Sequence, residues 1–291
     1  MTRFSLTEYG HHPDFQEHLG TASGVLVDQD KVPVGGWEEE MLRDLSDRLS
    51  GESLFPCVFA KNAYRKKLIK FLFVSTMDEP EIDRLVSGLC EYVRLSRDWD
   101  GTLNSAYPLV IAFSKDAVSA RSVAGYHAAG WDILQLLHER DPAKWPDDVG
   151  RDPDAPDWSM CFDGMPIFCN MSTPEHENRP SRNLGERFVI VVNPRERFDV
   201  FAGETPAGRK ARANIRHRIT LYDHMSHSPQ LASYGAGGIE WWQYSLLDEN
   251  VERSDLCPFH HAFDSRSEAD NDRSLISGIK THRDFREGVS E

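Results

Sequence analysis

The chain has 291 residues, of which 40% are apolar, and it carries a formal net charge of −14. A chain of this length can bury a sizeable core without disulfide bonds. Its acidity argues against nucleic acid and against an anionic membrane surface as the main partner.

The sequence predicts one compact domain between two polar ends. Residues 1–35 predict an N-terminal extension, residues 36–263 predict the domain, and residues 264–291 predict a polar C-terminal tail. No stretch is long and apolar enough to span a bilayer, and the first residues lack the apolar run of a secretory signal. We therefore expect a cytoplasmic protein that makes no membrane contact.

Strands and helices alternate in the first half of the predicted domain. Residues 68–74 form an apolar run on both faces, which favours a strand in a central position. Apolar residues recur at helical spacing from residue 78 to residue 95. A second strand is predicted over residues 109–113, and a helix over about residues 119–139.

Strands cluster in the second half. Residues 158–162 and 166–171 predict a hairpin, because Asp163-Gly164 between them is a strong signal for a tight turn. Three further elements are a strand over residues 188–192, a helix over residues 206–223 and a strand over residues 239–247. This order predicts an α+β fold with a mixed, largely antiparallel sheet flanked by helices.

The segment over residues 173–182 has the side chains that a metal-centred, dianionic cofactor would need. His176 follows a predicted strand, and Arg179 and Arg182 lie within six residues of it. Imidazole is a good metal ligand, and guanidinium groups neutralise carboxylates. A surface loop with solvated side chains would have the same local pattern, so this segment alone leaves both interpretations open.

A longer series of residues points to a known family. The matching residues, in chain order, are Phe55-Pro56-Cys57; Tyr126, Trp131 and Trp145-Pro146; Trp158, Phe162, Gly164, Pro166 and Phe168; Thr173-Pro174, His176, Arg179 and Ser181-Arg182; Asn193-Pro194-Arg195; Ile215-Arg216, Arg218 and Tyr222-Asp223; Tyr234-Gly235; Glu240-Trp241 and Gln243-Tyr244; and Cys257-Pro258-Phe259. Together they resemble the YqcI/YcgG family of bacterial proteins over roughly residues 50–260. The resemblance implies a haem-dependent N-oxygenase that acts on a guanidino compound.

The activity that the resemblance favours is N-hydroxylation of L-arginine to Nω-hydroxy-L-arginine, in antibiotic biosynthesis of the D-cycloserine type. The alternatives are another guanidino substrate, or a haem-binding or haem-trafficking protein without activity. The oxidant of such a monooxygenase would be O₂ with a separate reductase, or peroxide. Gly235-Ala236-Gly237-Gly238 does not fit the GxGxxG pattern of a nucleotide site. A symmetric homodimer is the default assembly.

The cofactor that the resemblance implies is non-covalent haem b, since the five cysteines form neither a CxxC pair nor a CxxCH motif. His176 is the predicted axial ligand, because it is the histidine that matches the family pattern. Cys257 is its main competitor, since a thiolate would suit a monooxygenase. Cys57 is the weaker competitor and is predicted to be a buried core thiol.

Arginines are the predicted partners of the haem propionates. Arg179 and Arg182 are the first candidates because they lie near His176 in the sequence. Arg195, Arg216 and Arg218 are the alternatives. For any one of these arginines, pairing with one of the many carboxylates of the chain is the competing interpretation.

A carboxylate beside aromatic rings is the expected binding site for a guanidinium group. Glu240 is the first candidate, and on the predicted strand it would share a face with Trp242. An ion pair between Glu240 and an arginine of the chain is the competing interpretation. Asp223 is the second candidate. His224 and His227 could serve as acid–base groups, although solvated loop histidines are the simpler explanation.

Overall fold

The computed structural model of the protein describes residues 25–231 and 238–261. Within them six strands form one sheet in the order β1-β2-β3-β6-β5-β4. The strands are β1 (Val27–Asp28), β2 (Lys70–Val74), β3 (Leu109–Phe113), β4 (Cys161–Phe162), β5 (Met165–Ser172) and β6 (Val189–Pro194). Only β2 and β3 are parallel, and the other neighbours are antiparallel. The predicted mixed, largely antiparallel α+β fold is therefore confirmed.

Six α-helices accompany the sheet in the described part of the chain. They are α1 (Trp37–Leu49), α2 (Val58–Arg65), α3 (Glu79–Arg97), α4 (Val123–Glu139), α5 (Arg195–Ala202) and α6 (Pro206–Tyr222). The side chains of Asp78, Ser122 and Thr205 accept hydrogen bonds from backbone amides at the starts of α3, α4 and α6. Such caps satisfy amide groups that the first helical turn leaves without a partner.

The sheet is apolar on both faces. Leu109, Ile111 and Phe113 of β3 belong to the cluster that packs on α3 and α4. Val110 and Ala112 of the same strand belong to the cluster that packs on α1 and α2. Successive side chains of a strand point to opposite faces, so a strand covered on both sides is apolar throughout. The apolar run over residues 68–74 predicted a strand in a central position. This is confirmed, because β2 lies between β1 and β3.

The hairpin predicted around Asp163-Gly164 is confirmed. Both residues have positive φ, at 48° and 69°. Two consecutive positive φ values are the geometry of a type I′ turn, whose twist matches that of the two strands it joins. Phe162 and Met165 then pair across the turn.

The strand predicted over residues 239–247 is wrong. Trp241–Gln243 form a 3₁₀ turn, and Glu240 before it has helical dihedral angles. Trp241 and Tyr244 lie three residues apart and both pack against Trp131 of α4. Side chains at this spacing share one face of a 3₁₀ turn. The short apolar run fits either conformation, and contact with the aromatic core selects the turn.

The ends of the chain lie mostly outside the described residues. Part of the predicted N-terminal extension is described, and in it Val27 and Asp28 pair with β2 as an edge strand. Contacts place the described residues up to Phe259 in one compact unit. The predicted tail over residues 264–291 lies outside the described residues. None of the described helices combines the length and hydrophobicity that a bilayer crossing requires.

Candidate active site

A cavity of about 370 Å³ lies on the sheet face that α1 and α2 cover. Its floor is formed by side chains of β3, β5 and β6, namely Val110, Phe168, Asn170, Ser172, Val191 and Asn193. Alternate residues of β5 point into it, as the period of a strand requires. The volume falls in the range of about 300–1,000 Å³ that is typical of small-molecule sites.

The walls of the cavity are mainly apolar. Leucine and isoleucine side chains of α1 and α6 line it together with five phenylalanines, which are Phe55, Phe59, Phe168, Phe198 and Phe201. Flat aromatic walls suit a large planar ligand, since rings stack with an offset or meet edge to face. Ligand sites with such walls hold few polar groups, which then fix the orientation of the ligand.

The charged groups of the cavity are mostly positive. Five arginines line it, which are Arg182, Arg195, Arg197, Arg212 and Arg216. Two carboxylates line it, which are those of Asp199 and Glu240. Five positive and two negative groups leave a local excess of three positive charges, in a chain whose net charge is −14. An apolar cavity with this excess is suited to a ligand that carries carboxylates.

Glu240 lines the cavity, and its carboxylate already has several partners. Its Oε2 lies 2.6 Å from Nε of Arg195. Its Oε1 accepts hydrogen bonds from the hydroxyl groups of Ser159 (2.7 Å) and Tyr244 (2.6 Å). Burial raises the pKa of Glu240, and the charge of Arg195 opposes that shift. An ion pair with an arginine is the alternative that the sequence analysis gives for Glu240, and the structure contains such a pair. Binding of a substrate guanidinium by Glu240 stays a prediction.

Arg182 is a buried cavity arginine with a nitrogen that lacks an acceptor among the described residues. Its exposed fraction is 7%, and its buried Nη1 has no hydrogen-bond acceptor among the described residues. Burial and, after it, the neighbouring charge of Arg179 lower the pKa of Arg182 to about 9, while Asp223 opposes the shift. A buried guanidinium without an acceptor is costly, so an anionic group in the cavity would stabilise it.

Arg216 and Arg218 lie on α6 and have different environments. Arg216 lines the cavity and donates from Nη2 to the carbonyl of Leu231 (2.6 Å). Arg218 does not line it and instead donates to the carbonyls of Phe55 (3.0 Å) and Pro56 (3.1 Å). Of these two predicted propionate partners, only Arg216 faces the cavity, while Arg218 fixes the segment before α2.

His176 lies outside the cavity lining, buried beside β5. Its Nε2 lies 3.0 Å from the carbonyl oxygen of Leu246, and its Nδ1 lies 3.3 Å from Oγ1 of Thr173. A carbonyl only accepts, so Nε2 carries the proton and Nδ1 accepts from the threonine hydroxyl. Burial lowers the pKa of His176, which keeps the ring neutral. Both ring nitrogens are thus engaged, and the role of His176 as an axial ligand stays a prediction.

Arg179 and Asp223 are also buried outside the cavity lining. Arg179 donates from Nε to the carbonyl of Leu247 (2.9 Å). Asp223 accepts from the amide (2.8 Å) and the hydroxyl (2.7 Å) of Ser181, and burial raises its pKa. Nη1 of Arg179 lies 3.9 Å from Oδ2 of Asp223. These contacts join the end of α6 to the turn that carries Arg182, so their visible role is to position that turn.

Cys57 is the cysteine that lines the cavity. It was expected to be a buried core thiol, but it is half-buried and stands at the N-terminal cap of α2. Cys257 packs in the aromatic cluster on the opposite sheet face, and burial raises the pKa of its thiol to about 12. No group of three or more His, Cys, Asp or Glu side chains within residues 25–231 and 238–261 could hold a metal ion by itself.

Several lining residues were not predicted from the sequence. Asn170 and Ser172 on β5, Asn193 on β6, and Arg197 and Asp199 on α5 all face the cavity. A signal was present, because Asn170 and Ser172 place polar side chains two positions apart in an otherwise apolar strand. Such alternation marks the face of a strand that meets a polar space. The loop histidines His224 and His227 do not line the cavity.

The comparison with known proteins shows the family of this chain. The model of the YqcI/YcgG family matches residues 45–260. A protein of Streptomyces lavendulae named "Putative N(omega)-hydroxy-L-arginine synthase DcsA" is 55% identical over 236 residues, which are 80% of this chain and 89% of the relative. The uncharacterized proteins YqcI and YcgG of Bacillus subtilis are 30% and 33% identical over 79% and 80% of this chain, and over 90% and 91% of their own. No solved structure matches significantly. This chain belongs to the YqcI/YcgG family.

Proposed function

We propose that this protein is a haem-dependent N-hydroxylase that converts L-arginine to Nω-hydroxy-L-arginine. The observation that carries the proposal is the apolar cavity with its excess of arginines. The substrate is suggested by the name of the relative from Streptomyces lavendulae, which is 55% identical. Antibiotic biosynthesis is the context in which we expect the product to be used.

The lining of the cavity fits haem b. The apolar walls suit the porphyrin, and the two propionates need positive partners. Arg182 has a buried Nη1 that lacks an acceptor among the described residues, and Arg216 also faces the cavity. These two side chains would hold the carboxylates. When bound, haem supplies the activation of O₂ or peroxide that oxygenation of a nitrogen requires.

Glu240 is the proposed partner of the substrate guanidinium. An ionised carboxylate has about four acceptor sites, and Ser159, Tyr244 and Arg195 use three of those of Glu240. Because Glu240 lines the cavity, its remaining acceptor site is the one we propose for a substrate N–H group. One N–H group of the substrate could therefore be held without breaking the existing contacts.

The positive charge of the cavity has a consequence for the substrate. A cation beside several arginines is disfavoured, so the pKa of a bound guanidinium falls. Loss of its proton would leave a nitrogen with a lone pair that can be oxygenated. The arginines would thus serve both the cofactor carboxylates and the reactivity of the substrate.

The test is an absorption titration of the purified protein reconstituted with one equivalent of haemin. We expect a Soret band that shifts on addition of L-arginine, and hydroxyarginine in the product mixture when reductant and O₂, or peroxide, are supplied. L-lysine is the control, because it has the same backbone and a similar length but no guanidinium. A band that no guanidino compound shifts would favour a haem-binding protein without this activity. A shift with agmatine alone would favour another guanidino substrate. Absence of a band would contradict the proposal.

A further inference from the structure

We propose that Cys57 supplies the axial thiolate ligand of the haem iron in this cavity. The inference rests on the proposed function for the presence of haem and deepens it by assigning the ligand. It departs from the sequence-based preference for His176 and for Cys257.

The position of Cys57 is the first argument. Cys57 lines the cavity and is the N-cap residue of the eight-residue helix α2. Its Sγ accepts a hydrogen bond from the amide of Ala60 at 3.4 Å. The amides and the positive end of the helix dipole at this position stabilise a thiolate. The sulfur therefore lies in the cavity lining, with a helix amide directed at it.

The second argument is the buried cation in the same cavity. Arg182 lines the cavity with Cys57, is more than nine-tenths buried, and has an Nη1 without an acceptor among the described residues. A group so placed needs an anion. A haem bound through Cys57 would bring carboxylates into the cavity where this guanidinium stands. The thiol at the start of α2 and the guanidinium of the turn Pro180–Arg182 could thus bind the same ligand.

Two opposing effects act on the pKa of the Cys57 thiol, and burial is the larger. Burial raises the pKa of Cys57, while the amides of Ala60 and Phe59 and the charges of Arg182 and Arg218 oppose that shift. Binding of haem iron would replace the S–H bond of Cys57 with an S–Fe bond and would release the proton to solvent.

The segment before Cys57 is held firmly. Arg218 donates to the carbonyls of Phe55 and Pro56, the two residues that precede the cysteine. The ring of Phe55 also meets that of Tyr222 edge to face, with centroids 5.7 Å apart. Metal ligands are generally fixed in this way by hydrogen bonds outside the coordination shell. Arg218, outside the cavity lining, is therefore a positioning residue for Cys57.

The competing ligands would need rearrangement. His176 would have to give up its contact with Leu246 or with Thr173, and it does not line the cavity. His127, whose ring centroid lies 5.6 Å from that of His176, does not line it either. Cys257 lies in the cluster on the other face of the sheet. Cys57 needs none of these movements. A thiolate ligand also donates electron density that suits oxygenation.

The test compares ferrous carbon monoxide spectra of four haemin-reconstituted proteins: wild type, Cys57→His, Cys257→Ser and His176→Gln. A thiolate trans to carbon monoxide moves the Soret band far to the red of the imidazole position. We expect the red-shifted band in wild type, its retention in C257S and H176Q, and its replacement by the imidazole position in C57H. C57H keeps a ligand at the site, so it separates loss of thiolate from loss of haem. Far-UV circular dichroism confirms that each variant is folded.

Two outcomes would overturn the assignment. An imidazole-type band in wild type that changes in H176Q would assign the iron to His176. A red-shifted band that disappears in C257S and persists in C57H would assign it to Cys257. In both cases haem would still be bound and hydroxyarginine formation could still be observed, so the proposed function would stand. Absence of any Soret band after reconstitution would instead contradict the ligand and the proposed function together.

Discussion

Nε of Arg195 lies 2.6 Å from Oε2 of Glu240, and both side chains line the cavity while being more than nine-tenths buried. Removing one member of a buried pair leaves the other charge without compensation in a medium of low polarity. The pair therefore ties the stability of the fold to the chemistry of the site. Arg195 also contacts Asp199 at 3.1 Å, so the loss of Glu240 is compensated in part.

Glu240→Gln is expected to lower the free energy of unfolding by about 3 kcal/mol, the lower end of the range for breaking a buried pair. It is also expected to weaken the spectral response to L-arginine while haem remains bound. Urea unfolding and an arginine titration measure the two effects. Asp199→Asn is the control, because its side chain is 54% exposed and an exposed pair contributes about 0–1 kcal/mol. Equal losses of unfolding free energy and of arginine response in the two variants would contradict the roles proposed for Glu240.

Arg218→Ala is expected to weaken haem binding about 10–100-fold, the usual effect of removing a group that orients a metal ligand. The physical reason is that the carbonyls of Phe55 and Pro56 would lose their donor. A haemin titration gives the dissociation constant, and the carbon monoxide spectrum reports whether the thiolate signature weakens as well. Arg209→Ala on the same helix is the control, since Arg209 is 54% exposed and contacts Glu204. An unchanged haemin affinity in R218A would contradict the proposed role of Arg218 in positioning Cys57.

Local patterns were sufficient to predict most of the sheet and three long helices. The apolar runs became β2 and β3, and helical spacing marked α3, α4 and α6. The helices α2 and α5 were missed, because eight residues give too few turns for a periodic pattern. α1 was missed as well, although Met41, Leu45 and Leu49 recur at helical spacing.

The site was harder to predict than the fold, because its residues are brought together from distant parts of the chain. His176 looked like a ligand in its own segment, and its buried contact with Leu246, 70 residues away, was invisible there. Cys57 looked like a core thiol, since nothing local shows that α2 begins beside a cavity. Arg182 and Arg216 are among the candidates that the sequence offers for the propionates, and the structure places both in the cavity lining. Arg179 and Arg218 were named with them and have backbone partners instead.

Arg182→Met tests whether the buried guanidinium serves a ligand or the fold. Because its Nη1 lacks an acceptor among the described residues, removing the charge should leave the ligand-free protein at least as stable as wild type. Haem affinity should fall, since a propionate would lose its partner. Thermal unfolding with and without haemin measures both. A ligand-free R182M that is several kcal/mol less stable than wild type would show that Arg182 supports the fold directly.

His127 should make the stability of the protein depend on pH. Burial, followed by the charges of His176, Arg253 and Arg182, lowers the pKa of His127 to about 3, while Asp255 opposes the shift. The folded state therefore holds a neutral ring where the unfolded chain, with an ordinary pKa near 6.5, binds a proton. Between these two values the unfolded state binds more protons, so stability is complete above about pH 6.5 and falls as the pH falls.

His127→Gln and His127→Phe should both flatten this dependence. The contribution of His127 is about 1.4 kcal/mol per pH unit below its ordinary pKa, and neither replacement titrates. Urea unfolding at a series of pH values from 7 down to about 4.5 measures the slope. Gln keeps a polar group and Phe keeps a ring, so the two variants separate titration from packing. A shallower slope in both variants would assign the pH dependence of stability to titration of His127. The two variants differ in packing, but both lack the group that binds the proton. An unchanged slope in both would place the acid sensitivity elsewhere.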